Sequence, residues 1–179
     1  MTRLYITVDS TVYILWPVYL LFFPIDFVGA AFIAALIHEL GHVCMIIFCG
    51  SGIESVKIGP FGAVIQTSGL MPGGEFLCAL AGPAGSFLLL LTVQRFPMLA
   101  VCGFLQGMFN LIPVYPLDGG RILRILLNRF FPLYAECIEM FITFFVVIVF
   151  LIFSVLFIRE LFIIPVLLML RSNVLRNRP

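Results

Sequence analysis

The sequence has few charged residues and only two histidines. Charged side chains make up 11% of the 179 residues, 63% are hydrophobic, and the mean hydropathy is +1.21. A formal charge of +1 implies neither a nucleic acid nor an acidic partner. A soluble domain does not carry apolar runs along nearly its whole length. The composition therefore predicts a polytopic helical membrane protein that forms one bundle.

The sequence also lacks any C-x-x-C pair and a signal peptide of the usual form. The five cysteines are odd in number, and most fall within apolar runs, where cysteine behaves as a small hydrophobic residue. We therefore expect neither a disulfide framework nor a thiolate metal site. The N-terminus begins with a polar, strand-like stretch at residues 3–8, which does not resemble a signal sequence.

Six hydrophobic segments predict an all-α membrane protein of about six transmembrane helices, within a single domain over residues 1–179. They are 11–23, 27–49, 76–94, 97–112, 138–158 and 161–170. The Gly-rich, alternating stretch 50–74 predicts a small interfacial or re-entrant β-hairpin. With a cytoplasmic N-terminus, eight basic residues fall on the inner side and two on the outer side. This positive-inside bias supports an even number of spans.

The second segment contains His38-Glu39-Leu40-Gly41-His42, which uses both histidines of the chain. On a helix, His38 and His42 lie on one face, close enough to share a metal ion, and Glu39 remains within reach of a metal-bound water. Ionisable residues in a membrane span mark function by default. The pattern is that of a zinc hydrolase. The alternatives are a chance match or a histidine pair that serves helix packing.

Catalytic zinc usually has three protein ligands, and no third histidine exists. Asp118 is the expected carboxylate ligand, because it follows a membrane span in a stretch broken by Pro113, Pro116 and Gly119. Backbone unwound at that depth is tolerated only inside protein or around a wet cavity. The alternative is an aspartate that caps the helix starting near Gly119. The remaining acids are less suited, because they lie before the spans, at segment boundaries, in the interfacial loop or in a short outer turn: Asp9, Asp26, Glu54, Glu75, Glu136, Glu139 and Glu160.

Two motifs make the chain resemble the site-2 protease family of intramembrane zinc metalloproteases. They are His38-Glu39-Leu40-Gly41-His42 and Asn110-x-x-Pro113-x-x-Pro116-Leu117-Asp118-Gly119-Gly120-Arg121, with Ala81-Gly82-Pro83 as a weaker match. The chain looks most like the sporulation type, which cleaves a membrane-tethered sigma-factor precursor. It departs from the family in having no room for an added regulatory or peptide-binding domain. It also has Ser86 where many members have asparagine.

The resemblance implies one Zn²⁺ ion held by His38, His42 and Asp118, with Glu39 as the general base. Asn110 would engage the substrate backbone, or else cap a helix end. The implied partners are a membrane-tethered protein substrate, the lipid bilayer and a membrane-bound inhibitor or regulator, with no nucleic acid. The implied location is the bacterial inner membrane, with both termini cytoplasmic and the active site towards the cytoplasmic half.

Two rival functions use the same residues without hydrolysis. A membrane metal transporter or sensor would need ligands in series along a pore, whereas the other acids cluster at segment ends. A non-catalytic scaffold would have no use for a base beside the metal, so the intact Glu39 argues against it. Replacing Glu39 by glutamine separates both rivals from a protease, which alone would lose its activity.

Overall fold

The computed structural model describes residues 5–59 and 62–157. They belong to two compact units, the first ending at Phe109 and the second beginning at Asn110. The elements in chain order are β1 (Tyr5–Val8), α1 (Ser10–Phe22), α2 (Ile25–Phe48), β2 (Gly52–Gly59), β3 (Gly62–Ser68), α3 (Pro72–Leu88), α4 (Pro97–Asn110), α5 (Asp118–Phe130) and α6 (Ala135–Phe157). A short 3₁₀ turn, Leu89–Thr92, extends α3.

Among the residues that the structure describes, three helical stretches are long and apolar enough to cross a membrane. They are α2 with 24 residues, Pro72–Thr92 with 21, and Ala135–Phe153 with 19. A span needs about 20 residues to cross the hydrocarbon layer, whereas α1 has 13 residues and α4 has 14. The structure therefore confirms a mostly helical fold with candidate membrane spans, but it does not confirm about six of them. The predicted segment 161–170 lies outside the described residues.

Helix α2 carries the histidine motif and has a well-defined end. Gly50 adopts a φ of 71°, which a residue with a side chain rarely tolerates. The N–H groups of Gly50 and Ser51 then donate to the carbonyls of Ile47 and Ile46, at 2.9 and 3.1 Å. This is a Schellman motif, which satisfies the last carbonyls of the helix. It turns the chain from α2 directly into β2.

Helices α2 and α3 approach each other through glycines. A Cβ atom added to Gly41 of α2 would collide with the carbonyl oxygen of Ala81, and one added to Gly85 of α3 would lie 3.1 Å from that of Ile37. Small residues allow this backbone contact between membrane helices. The contact brings α3 against the face of α2 that carries the histidines.

The stretch 50–74 contains the predicted hairpin, β2 and β3, and the strand-like N-terminus adds β1. The sheet has the order β1-β2-β3. Strand β1 pairs parallel to β2, and β2 pairs antiparallel to β3 with Ile58 opposite Ala63. Within the described residues, β3 has a strand on one side only. The residues of β3 alternate between exposed and half-buried, as expected when one face of a sheet is covered.

The second unit begins with a proline-containing connection, residues 111–117, and continues into α5. This helix carries Arg121, Arg124 and Arg129 and buries Leu127. The arginine-rich stretch that follows the fourth hydrophobic segment is therefore an amphipathic helix. Helix α6 exposes many aromatic and aliphatic side chains, as expected for a helix that contacts lipid.

Candidate metal centre

His38 and His42 form a buried imidazole pair in the first unit. They lie one turn apart on α2 and are 3% and 7% exposed. Their rings are perpendicular, with an interplanar angle of 80°, and their Nε2 atoms are 3.2 Å apart. Two imidazoles bound to one tetrahedral zinc ion at about 2.05 Å would have Nε2 atoms about 3.3 Å apart. The observed separation therefore fits a shared zinc ion.

The Nδ1 atom of each imidazole is held by helix α3. Nδ1 of His42 lies 2.8 Å from the carbonyl oxygen of Cys78. Because a carbonyl oxygen only accepts, this Nδ1 donates, and Nε2 keeps its lone pair for a metal. Nδ1 of His38 lies 2.9 Å from Oγ of Ser86, whose hydroxyl is able to accept in the same way. Partners of this kind fix the tautomer and orientation of metal-binding histidines.

Gly82 has no side chain, and the imidazoles of His38 and His42 occupy the space beside it. A Cβ atom at this position would overlap Nε2 of His42 and would lie 2.9 Å from Nε2 of His38. Helix α3 therefore presents bare backbone to the metal-binding edge of both rings.

Glu39 points its carboxylate towards the turn of the β2–β3 hairpin. Its Oε1 accepts a 2.9 Å hydrogen bond from the backbone N–H of Ala63, and a Cβ added to Gly62 would lie 2.8 Å from the same oxygen. Its Oε2 is buried and has no hydrogen-bond partner among the residues that the structure describes. A buried carboxylate oxygen without a partner is costly. Such an atom is expected where a water or ligand completes the site.

Asp118 lies at the start of α5 in the second unit and is 5% exposed. It is the first residue of the helix, and Leu117 occupies the capping position. Arg121 lies one turn along, with Nη1 3.8 Å from Oδ1 of Asp118. A buried carboxylate is a group that commonly binds metal ions in proteins. Burial, its residue type and its place in a proline-broken stretch keep Asp118 the candidate third ligand.

Asn110 is the last residue of α4 and is half-buried. Nothing in the structure tests its predicted contact with a substrate backbone, so that role stays a prediction. Three contributors to the site were not predicted: the carbonyl of Cys78, the hydroxyl of Ser86 and the N–H of Ala63. Ser86 gave one signal, since it is a polar residue in an apolar run at a position where the family pattern has asparagine.

Comparison with known proteins agrees with this geometry. A profile of Peptidase family M50 matches residues 90–152. A zinc metalloprotease of Methanocaldococcus jannaschii is 37% identical in an alignment of 112 residues that covers 55% of this chain and 33% of that protein. Stage IV sporulation protein FB of Bacillus subtilis is 30% identical in an alignment of 111 residues that covers 54% of this chain and 38% of that protein. The matched part thus spans only about a third of these curated relatives.

A solved structure also matches the fold over the whole chain. The site-2 protease from Methanocaldococcus jannaschii has a TM-score of 0.74 and 26% identity, covering 100% of this chain and 93% of that chain. The Methanocaldococcus jannaschii relative is named as a zinc metalloprotease, and the buried histidine pair of this chain has a spacing that fits a shared zinc ion. Residues 90–152 thus match the profile of Peptidase family M50, and the chain is similar in sequence to a zinc metalloprotease and in fold to a site-2 protease.

Proposed function

We propose that the chain is an intramembrane zinc metalloprotease that hydrolyses a peptide bond within or near a transmembrane segment of a membrane-tethered protein. The observation that carries the proposal is the juxtaposition of two elements on α2. One is the buried Nε2 pair of His38 and His42. The other is the buried, partnerless Oε2 of Glu39, the residue next to His38. Metal ligands beside an unsatisfied carboxylate are the requirement for metal-assisted hydrolysis.

His38, His42 and Asp118 are the proposed ligands of one zinc ion. All three are buried and of residue types that bind zinc, and two imidazoles with one carboxylate are a ligand set of catalytic zinc sites. Bound zinc would supply Lewis acidity, which polarises the scissile carbonyl and makes water more acidic. The oxygen of Asp118 that contacts Arg121 most closely is 3.8 Å away, a loose ion pair that a closer cation would replace.

Glu39 is the proposed general base. The N–H of Ala63 fixes Oε1, so the carboxylate cannot rotate freely and Oε2 is left to accept a proton from the attacking water. The same oxygen would then deliver the proton to the leaving amine nitrogen. Such positioned proton transfer contributes about 10²- to 10⁴-fold to a rate. Burial of this carboxylate limits competition from bulk water for the proton.

The substrate must reach the base in an extended conformation, because peptide bonds in a helix are locked in hydrogen bonds. We propose that the free edge of β3 binds the unwound segment by strand addition. The N–H of Ala63 points away from β2, towards Glu39, and alternation along a strand gives Ile65 the same orientation. Ile65→Pro should therefore raise KM, with Ile65→Ala as control. Equal cleavage by both variants would exclude strand addition.

The finer features of the proposal rest on the sequence pattern and the relatives. About six spans, cytoplasmic termini and a bacterial inner-membrane location are supported by the excess of basic residues on one side. A sigma-factor precursor as substrate, and a membrane-bound regulator, are supported by the similarity to stage IV sporulation protein FB. Asn110 is the proposed substrate-backbone ligand.

The test is cleavage of a membrane-tethered substrate co-expressed with matched variants. Glu39→Gln should abolish cleavage, whereas Glu54→Gln, at an exposed position of β2, should retain it. Asp118→Asn should lose both cleavage and bound zinc, whereas Asp26→Asn, at an exposed position of α2, should keep both. Cleavage by Glu39→Gln at the wild-type rate would refute the protease proposal.

A further inference from the structure

Arg124 and Glu139 form a two-pronged ion pair between α5 and α6. Nε of Arg124 donates to Oε2 of Glu139 over 3.1 Å, and Nη2 donates to Oε1 over 2.8 Å. Glu139 is 4% exposed and lies in an apolar helix long enough to cross a membrane. A carboxylate in such a helix is costly unless both of its oxygens are paired. A buried carboxylate at this position therefore indicates a role beyond packing.

The same guanidinium also covers the ring of Tyr115. The Cζ atom of Arg124 lies 4.8 Å from the ring centroid, within the range of a cation–π contact. Tyr115 belongs to the connection 111–117 that precedes α5. One side chain therefore joins three parts of the second unit: the connection, α5 and α6.

The connection is pressed against the first turn of α5. A Cβ atom added to Gly119 would collide with the carbonyl groups of Leu111 and Ile112, and one added to Gly120 would collide with the backbone of Val114 and Tyr115. Val114 is fully buried. These contacts leave no room for the connection to move independently of the helix start. Asp118 is the residue at that start.

We propose that Arg124 is a positioning residue for the metal ligand Asp118, acting through Tyr115. Glu139 fixes the guanidinium, the guanidinium holds the Tyr115 ring, and the ring fixes the connection that sets the place of Asp118. This inference rests on the proposed zinc site. Arg124 touches neither the metal nor the substrate, so its effect is on how well the ligand is held. Outer groups that orient metal ligands typically contribute 10- to 100-fold to metal affinity.

Arginine is needed at this position because of its shape as well as its charge. Its planar fork matches the two oxygens of Glu139 while its flat face stacks on Tyr115. Lysine keeps the positive charge but offers a single point donor and no planar face. Arg124→Lys therefore removes the fork and the stacked face without leaving Glu139 beside a neutral side chain.

The experiment measures zinc affinity of the full chain in detergent micelles by competition with a chromophoric chelator. Arg124→Lys should raise the zinc dissociation constant about tenfold, with helix content and unfolding temperature near those of the wild type. Arg129→Lys is the matched control, since Arg129 lies exposed on the last turn of the same helix. Tyr115→Leu should weaken zinc to the same extent, and Tyr115→Phe should not. Combining Arg124→Lys with Tyr115→Leu should add little to either change, because both act through one contact.

Each other outcome overturns the inference. Wild-type zinc affinity in Arg124→Lys, or an equal loss in Arg129→Lys, would show that the contact does not position the ligand. If Arg124→Lys fails to fold, the zinc affinity of Tyr115→Leu tests the inference instead, because that variant leaves the ion pair of Arg124 and Glu139 intact. Wild-type zinc affinity in Tyr115→Leu would then refute the inference. The zinc affinity of Asp118→Ala distinguishes a failure of this inference from a failure of the proposed zinc site. Unchanged zinc affinity in Asp118→Ala would refute the ligand assignment and the inference together, whereas a loss in Asp118→Ala alone would refute only the role of Arg124.

Discussion

The bare backbone at Gly82 gives the sharpest prediction about the metal centre. A methyl group there would overlap the Nε2 and Cε1 atoms of His42 and would press on Nε2 of His38 at 2.9 Å. The two Nε2 atoms are the atoms proposed to bind zinc. Gly82→Ala should therefore displace the imidazoles or push α3 away from α2. The first response changes the 3.2 Å spacing of the Nε2 atoms, and the second draws Ser86 and Cys78 away from the two Nδ1 atoms that they hold.

The expected magnitude follows from two opposed terms. Alanine is a better helix former than glycine by about 1 kcal/mol, whereas an extra methyl group in a tight interior costs about 1–3 kcal/mol. The free energy of unfolding without metal should therefore change by no more than about 2 kcal/mol. The strain falls mainly on the zinc-bound state, because zinc requires both Nε2 atoms in place. About 1–3 kcal/mol corresponds to about a 5- to 150-fold weaker zinc affinity.

The assay is zinc competition with a chromophoric chelator on purified wild type, Gly82→Ala and Gly73→Ala. Gly73 lies on the same helix, and a Cβ atom there would meet nothing within 4 Å, so its replacement controls for helix propensity. Gly73→Ala should bind zinc as the wild type does. If Gly82→Ala also bound zinc with wild-type affinity, the proposed position of the metal between the two imidazoles would be wrong.

Three further predictions test the surroundings of the site. Ser86→Ala removes the partner of His38 Nδ1 and should weaken zinc about tenfold in the same competition assay; unchanged affinity would reduce Ser86 to a packing role. Gly62→Ala places a methyl 2.8 Å from Oε1 of Glu39 and should lower kcat at least tenfold, part of the roughly 10²- to 10⁴-fold that a positioned base contributes, while zinc binding stays unchanged. Gly59→Ala, across the same turn with only an ordinary 3.5 Å contact, should keep its kcat, and an equal loss in both would contradict the steric argument. Removing zinc with a chelator should abolish cleavage and adding zinc should restore it, and activity that survives complete zinc removal would exclude metal catalysis.

The local parts of the site were predictable because they follow from helix geometry. Two histidines four residues apart on a helix share a face, and in the structure their Nε2 atoms are 3.2 Å apart. The hairpin in 50–74 was predictable from alternating residues and glycines. These features depend on neighbours within a few residues, so the sequence pattern carries them directly.

The supporting contacts could not be predicted, because they join residues far apart in the chain. Ser86 is 48 residues from His38, and Cys78 is 36 residues from His42. Their meeting depends on how closely α2 and α3 pack, which sequence periodicity does not report. The hydrogen bond from Ala63 to Glu39 depends likewise on where the hairpin turn lies. The donor is also a backbone N–H, which almost every residue type has, so the identity of Ala63 does not indicate this role.

Glu139 shows that the position of an acidic residue in a hydrophobic segment does not predict whether its side chain is buried. Hydropathy places it at the border of the fifth segment, yet it is 4% exposed and paired with Arg124. Helix α6 begins at Ala135, so Glu139 lies in its second turn rather than at its edge. The partner arginine belongs to an amphipathic helix that hydropathy alone leaves undefined.

The most direct test of the central claim is the X-ray absorption spectrum of zinc bound to the purified chain. The account predicts two imidazole nitrogens at about 2.0–2.1 Å, with the remaining ligands oxygen, and no sulfur at about 2.3 Å. Asp118→Ala should lose bound zinc or replace a carboxylate oxygen by water. A spectrum with sulfur ligands, or one without an imidazole pair, would contradict a zinc centre built from His38, His42 and Asp118.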